Sequence, residues 1–317
     1  MSALYFNHVR VKIVNFQGPT PLGLHGRIGN VMSFLRALFG KPKRRPEDGP
    51  GIEQHLDFLN TLRMPTIALS ASTRKSNSHF GGLPSLPEDV PWPEWKGAPL
   101  AFLCQLDLTE IPDGCDRTWL PRSGMLYFFY SQEQETWGFD PKDKGSWGVI
   151  YAAAAPTADG ATRVAPAGLR RDCVYSEKAI SFTPVETYPD WEDERVNALD
   201  LSDHQGDQYI EMCSKVFGDG PAHHLFGYPS PVQGNDMDFE CQLVSHGLYC
   251  GDPSGYQDPR AEELKAGRRD WVLLLQLDSD DDAGMMWGDC GRLYFWIRKE
   301  DLREGRFDKC WMILQCS

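Results

Sequence analysis

Between Trp271 and Ile297 the chain reads WVLLLQLDSDDDAGMMWGDCGRLYFWI, two strongly apolar runs joined by an acidic, glycine-containing loop. Each run has the length of a strand and falls far short of a bilayer-spanning helix. A fainter counterpart lies at Leu100–Tyr130. There, the continuous apolar run Leu100–Leu106 suits a strand buried on both faces, and Met125–Tyr130 supplies a second strand beyond a Pro/Gly/Asp-rich loop at 109–124.

Three blocks repeat in the same order. His79-Phe-Gly-Gly82-Leu-Pro84-Ser85 aligns with His224-Leu-Phe-Gly227-Tyr-Pro229-Ser230 at a constant offset of 145. Phe102-Leu-Cys-Gln105-Leu-Asp107 corresponds to Leu273-Leu-Leu-Gln276-Leu-Asp278, and Gly124-Met-Leu-Tyr-Phe128-Phe129 to Gly291-Arg-Leu-Tyr-Phe295-Trp296. We therefore expect an α+β, β-rich fold that is internally duplicated, its halves related by a pseudo-two-fold axis, with peripheral helices. Two units are too few for a solenoid.

The remaining segments are read around that frame. Residues 1–50 form a poorly ordered N-terminal extension and linker, and residues 51–317 the domain. Met32 opens MSFLRALFG with helical spacing, so translation is expected to start there. The following KPKRR, with Pro and Gly after it, reads as a linker, with weak contact of 32–45 to an anionic membrane surface as the alternative. Ile52–Leu62 has helical spacing that ends before Pro65, and Thr66–Ser70 reads as a strand. Ser76–Trp95 is so rich in Gly and Pro that it reads as an ordered loop lying across a sheet, excluded from any central strand. Further strands are expected at Gly148–Ala155, Asp172–Val174 and Ala179–Val185, and helices at Asp190–Leu201, Asp203–Phe217 and Asp258–Gly267.

The composition narrows the class. A net charge of −13 argues against a general nucleic-acid binder and fits a basic protein partner or a divalent cation. Nine cysteines without a C-x-x-C pair, two of them inside apolar runs, read as reduced thiols of a cytoplasmic protein. There is no signal peptide and no transmembrane segment in the pattern.

The blocks HFGGLPSLPEDVPWP, LAFLCQLDL, LFGYPSPVQGNDM with ECQL, LLLQLDSD, MWGDCGRLYFWI and a closing LQC together resemble the YwqG-like family, a widespread bacterial domain of unknown function. The resemblance runs from Ile52 to Cys316 and leaves residues 1–50 outside. It implies a single β-rich, cytosolic domain with an internal repeat, no established activity, and an immunity-type or partner-binding role in some relatives.

Several constellations could carry chemistry. Asp278, Asp280 and Asp282 form D-x-D-x-D, and Asp289 stands twelfth counted from Asp278, a spacing that resembles a calcium loop. Ala283 sits where that loop needs glycine, and the flanks read as strands. The choice is between a divalent cation site (Ca or Mg) and a solvated acidic turn that blocks edge pairing. Trp287, just before a Gly–Asp turn, either covers a core edge or touches a ligand. Gln105, Gln233 and Gln276 are amides among apolar neighbours, so each must clamp loop backbone or line a polar pocket. His79 and His224, at matched positions beside Gly82 and Gly227, read as loop caps; His223 adjoins them. Phosphate-binding glycine loops, G-x-S-x-G elbows and H-E-x-x-H are absent from the sequence.

Three functions follow from these residues. The first is a non-catalytic binding protein, immunity-type or regulatory, that holds a basic partner on an acidic surface, with His79, Gly82, Gln105, His224, Gln233, Gln276 and Trp287 as candidate binding residues. The second is a divalent-metal-dependent hydrolase built on the Asp278–Asp289 loop. The third is a structural assembly module.

Overall fold

The computed structural model describes residues 50–153 and 162–317. The expectations for the first 49 residues, including the Met32 start, the basic linker and the membrane contact at 32–45, lie outside the described residues. Pro50–Ser317 forms one compact unit.

The strands are β1 (Met64–Ser72), β2 (His79–Phe80), β3 (Glu94–Trp95), β4 (Ala98–Pro99), β5 (Ala101–Asp107), β6 (Met125–Tyr130), β7 (Trp147–Ala152), β8 (Lys178–Thr187), β9 (His224–Leu225), β10 (Trp271–Asp278), β11 (Arg292–Arg298) and β12 (Trp311–Gln315). All but β3 and β4 join one antiparallel sheet in the order β12-β11-β10-β9-β1-β8-β2-β5-β6-β7. At its centre β1 and β8 pair without interruption from Met64↔Thr187 to Ser72↔Ala179.

The edge strands β7 and β12 curl towards each other, so the sheet is nearly closed. The Trp147 and Trp311 rings meet edge to face at 5.0 Å, and Trp147 Nε1 donates to Cys310 O. Across the interior, Phe128 of β6 meets Phe295 of β11 at 5.2 Å. Each such fully buried ring is worth about 1.5–3 kcal/mol, so the curl follows from what it buries. Alternate residues of β6 divide between two clusters. Leu126, Phe128 and Tyr130 enter the main core, while Met125, Tyr127 and Phe129 pack on the other face under Leu86 and Trp92. That second cover explains why every position of β5 and β6 is buried, with Gln105 and Asp107 of β5 the two that are not apolar.

The two apolar hairpins and the long β8 lie where the patterning puts them, but several local readings are corrected. The segment Ser76–Trp95 does contain a central strand, β2, between β8 and β5. It is only two residues long, and Gly81 and Gly82 at φ +56° and +68° end it before the prolines begin. Asp172–Val174 lies at a 3-10 turn, Arg171–Cys173. The acidic stretch Asp190–Leu201 is helical only over Glu194–Asn197, because Asp190 and Asp193 spend their carboxylates on local backbone N–H groups. Pro65 sits inside β1, and helix Pro259–Leu264 passes into a 3-10 turn, Lys265–Asp270. Helix α1 (Asp203–Ser214) has a full capping box, Ser202 with Gln205. Helix α2 (Met237–Val244), which periodicity had not marked, covers the core with Cys241 and Leu243. No helix of the described residues is long and apolar enough to cross a membrane.

Glu240 of α2 gives the fold a pH dependence. Its Oε1 accepts from Tyr256 Oη at 3.0 Å, and its Oε2 is buried without a partner among the described residues. Burial, reinforced by Asp236 and Asp238, pushes its carboxyl from 4.5 to about 7. A folded-state pKa raised above the unfolded one leaves stability untouched below 4.5. Stability then falls as pH rises from 4.5 to 7, by roughly 3 kcal/mol at most. Glu240→Gln should match the parent in thermal unfolding at pH 4.5 and exceed it increasingly up to pH 8; a gap independent of pH would refute this assignment.

Candidate functional site

The matched motifs are used in matched ways. His79 Nδ1 donates to Gly81 O at 2.8 Å, and His224 Nδ1 to Phe226 O at 2.7 Å. Gln105 Oε1 accepts from Ser85 N while its amide donates to Asn77 O; Gln276 Oε1 accepts from Ser230 N while its amide donates to Ala222 O. Tyr127 and Tyr294 then donate to the carbonyls of the same two serines. Both glutamines thus clamp loop backbone, satisfying amides that burial would otherwise leave costly. Gln233 differs: it is exposed, and its amide donates to Cys316 O. The clamp in its neighbourhood is Gln315, 1% exposed, which accepts from Val232 N and Gln233 N and donates to Gly234 O. The signal for it in the sequence was a lone glutamine ending the apolar run WMILQ.

His224 is fully buried, stacked at 5.0 Å on Phe217, and burial holds its pKa at about 4. It is therefore neutral at pH 7, with the proton on Nδ1 facing the Phe226 carbonyl. That bond holds Phe226 at φ +59°, a conformation few non-glycine residues adopt. Gly82, φ +68°, donates its N–H to Tyr175 O.

The acidic loop divides into an inner and an outer part. Asp278 (8% exposed) accepts from Ala222 N and Ser279 N, and its Oδ1 stands 2.9 Å from Arg292 Nε, an ion pair too bent for a hydrogen bond. Asp280 accepts from Asp282 N and Ala283 N and faces His223 Nε2 at 3.5 Å; these contacts, His223 first, hold its carboxyl below the usual range. His223 in turn accepts the Asp278 N–H at Nδ1, which fixes its tautomer. Asp282 and Asp289 are exposed, and Asp289 takes part through its carbonyl, which accepts from Ser317 N. A cation here would have to draw Asp278 from Arg292 and Asp280 from His223. Among the described residues no group of three or more His, Cys, Asp or Glu is placed to hold a metal ion. Trp287 is 0% exposed and donates from Nε1 to Asp278 O, tying the loop to the core between Tyr130 and Tyr175.

Open space gathers around the repeated motif loop. Tyr228 and Pro229 separate a cavity of 470 Å³, floored by Asp278 and Arg292, from one of 380 Å³ walled by Trp119, Trp271 and Trp296. The first cavity and a third, of 410 Å³, share Trp191, Tyr209 and Ile210. Trp191 and Ile210 are 55% and 52% exposed, and the third cavity is bordered by Asp200, Asp203 and Asp207, all exposed. Sequence reading missed this grouping because Asp203, Asp207, Tyr209 and Ile210 come from α1 whereas Trp191 and Asp200 come from the segment before it.

The nine thiols are all free, and Cys290 alone is exposed. No curated protein matches the chain. Residues 78–316, from just before β2 to just beyond β12, match the family model of a domain of unknown function, DUF1963, and the chain belongs to that family.

Proposed function

We propose that this chain is a non-catalytic, cytoplasmic binding protein that holds a basic polypeptide partner on an acidic surface centred on Trp191 and Ile210. The observation that carries the reading is the placing of these two exposed apolar side chains between two cavities, beside the carboxylates of Asp200, Asp203 and Asp207. An exposed tryptophan in a recess is the usual anchor of a protein interface, and a carboxylate rim selects and steers a cationic partner. The nine reduced thiols suit a cytoplasmic setting. We read the domain as residues 51–317 and as the product of an internal duplication, on the strength of the paired His, Gln and Tyr hydrogen bonds on either side of the β1–β8 seam.

Native mass spectrometry of the untagged chain from its own host is the test. A stoichiometric basic polypeptide is expected. Trp191→Ala should weaken its binding at least roughly 30-fold, about 2 kcal/mol. Asp203→Asn with Asp207→Asn should slow association and flatten its salt dependence. A chain carrying no polypeptide, or a partner indifferent to Trp191→Ala, would overturn the reading.

A further inference from the structure

Two hairpins of the sheet share one register and differ in what lies over them. In β5–β6, Phe102 faces Phe129 and Gln105 faces Tyr127; in β10–β11, Leu273 faces Trp296 and Gln276 faces Tyr294. Each hairpin has its register shift at the same place, after Phe102 in one and after Leu273 in the other. Each is met by a strap pinned at a serine, Ser85 or Ser230, through the glutamine and tyrosine described above.

Beyond the serine the straps diverge. The first, LPEDVPWPEW, crosses its hairpin, so that Leu86, Val90 and Trp92 pack on Phe102, Met125 and Phe129. The Trp92 ring meets Phe129 edge-on at 5.5 Å, and its N–H donates to Leu100 O. The second is drawn aside by Gln315, which takes the N–H groups of Val232 and Gln233, and it then enters α2. Among the described residues no strap crosses Leu273 and Trp296. The 380 Å³ cavity lies there instead, with Trp119 and Trp271 as its other indole walls. Trp296 is 7% exposed, and its Nε1 is buried without a hydrogen-bond partner among the described residues, whereas Phe129 at the matching place has no donor to satisfy.

We propose that this cavity receives an extended, proline- and aromatic-bearing segment of a partner polypeptide, laid over Leu273 and Trp296 as Leu86–Trp92 lies over Phe102 and Phe129. An aromatic side chain of the segment fills the space between the indoles, and a backbone carbonyl accepts from Trp296 Nε1. Proline suits the role because a segment already extended loses less freedom on binding. At the mouth, Asn235 and the ion pairs Arg195–Asp193 and Arg268–Asp238 offer both donors and acceptors to the backbone of such a segment. The proposal rests on the reading of the chain as a binding protein but uses a different surface, so Trp191→Ala separates the two.

The chain supplies its own probe. A synthetic peptide with the sequence of residues 83–93, carrying Glu88→Lys and Asp89→Lys so that its charge complements the acidic protein, is titrated into the full-length chain while the tryptophan indole N–H resonances are followed by NMR. Shifts at Trp271 and Trp296 are expected, unchanged in Trp191→Ala. The same peptide with Trp92→Ala should bind at least tenfold more weakly. In the protein, Trp296→Phe keeps the ring and removes the donor, and should weaken the peptide several-fold. Absence of shifts at millimolar peptide would overturn the proposal. So would equal binding of the Trp92→Ala peptide, equal affinity for free indole, which would make this a small-molecule pocket, or a dimer in which a second copy of the chain covers Trp296.

Discussion

Trp287→Ala is expected to lower the unfolding free energy by about 3–5 kcal/mol, the range for removing a buried aromatic side chain. Trp287 is fully buried between Tyr130 and Tyr175, and its indole is the donor to Asp278 O. The substitution opens a cavity in the core and strips that carbonyl of a donor, two costs that add. Trp287→Phe keeps most of the ring and should recover more than half of the loss. Denaturant titration measures both; a loss under about 1 kcal/mol for Trp287→Ala would mean that the Asp278–Cys290 loop is not anchored through this residue.

Gly227→Ala should cost on the order of 3 kcal/mol, by a different route. Gly227 sits at φ +73°, and a Cβ there would lie 1.9 Å from Thr66 Oγ1 and 2.5 Å from Thr187 Oγ1. Those hydroxyls are hydrogen-bonded to each other at 2.9 Å, and Thr187 Oγ1 also accepts the Tyr228 N–H. Neither threonine can retreat without breaking a buried contact. Because Tyr228 and Pro229 line both the 470 Å³ cavity floored by Asp278 and the 380 Å³ cavity walled by tryptophans, the substitution should also disturb both. Gly218→Ala is the control: φ is again positive, at +69°, but a Cβ would meet nothing within 4 Å, so only the backbone strain of about 1 kcal/mol remains. Equal losses for the two variants would dispose of the steric argument.

Much of the sheet was legible because its strands are long, apolar and bounded by turn residues. β2 was not, since two residues carry no periodicity and its place in the sheet is fixed by partners far away in sequence. The glutamines show the same division. Gln105 and Gln276 announced themselves as amides inside apolar runs, and both need the partners they have. Gln233 looked similar on paper but lies on the surface, and Gln315 does the clamping there. The aspartates of D-x-D-x-D were visible as a group, yet Arg292 and His223, which occupy the two inner ones, come from other segments. The acidic surface at Trp191 and the tryptophan-walled cavity were illegible for the same reason. A cavity is defined by where chains fail to go, and the departure of one strap from the path of the other leaves no mark in composition or spacing.

The β1–β8 seam also sets a timetable for synthesis. Its two strands lie more than about 100 residues apart in sequence, and β9, which flanks β1 on the other side, is later still. At roughly 5–20 residues per second, β1 leaves the ribosome some 5–20 s before either neighbour exists. Throughout that interval Ile67 and Leu69, both buried at the end, are without their cover. The centre of the finished sheet is therefore the part that a growing chain must protect longest, and the early strands of this protein are where a chaperone would be needed.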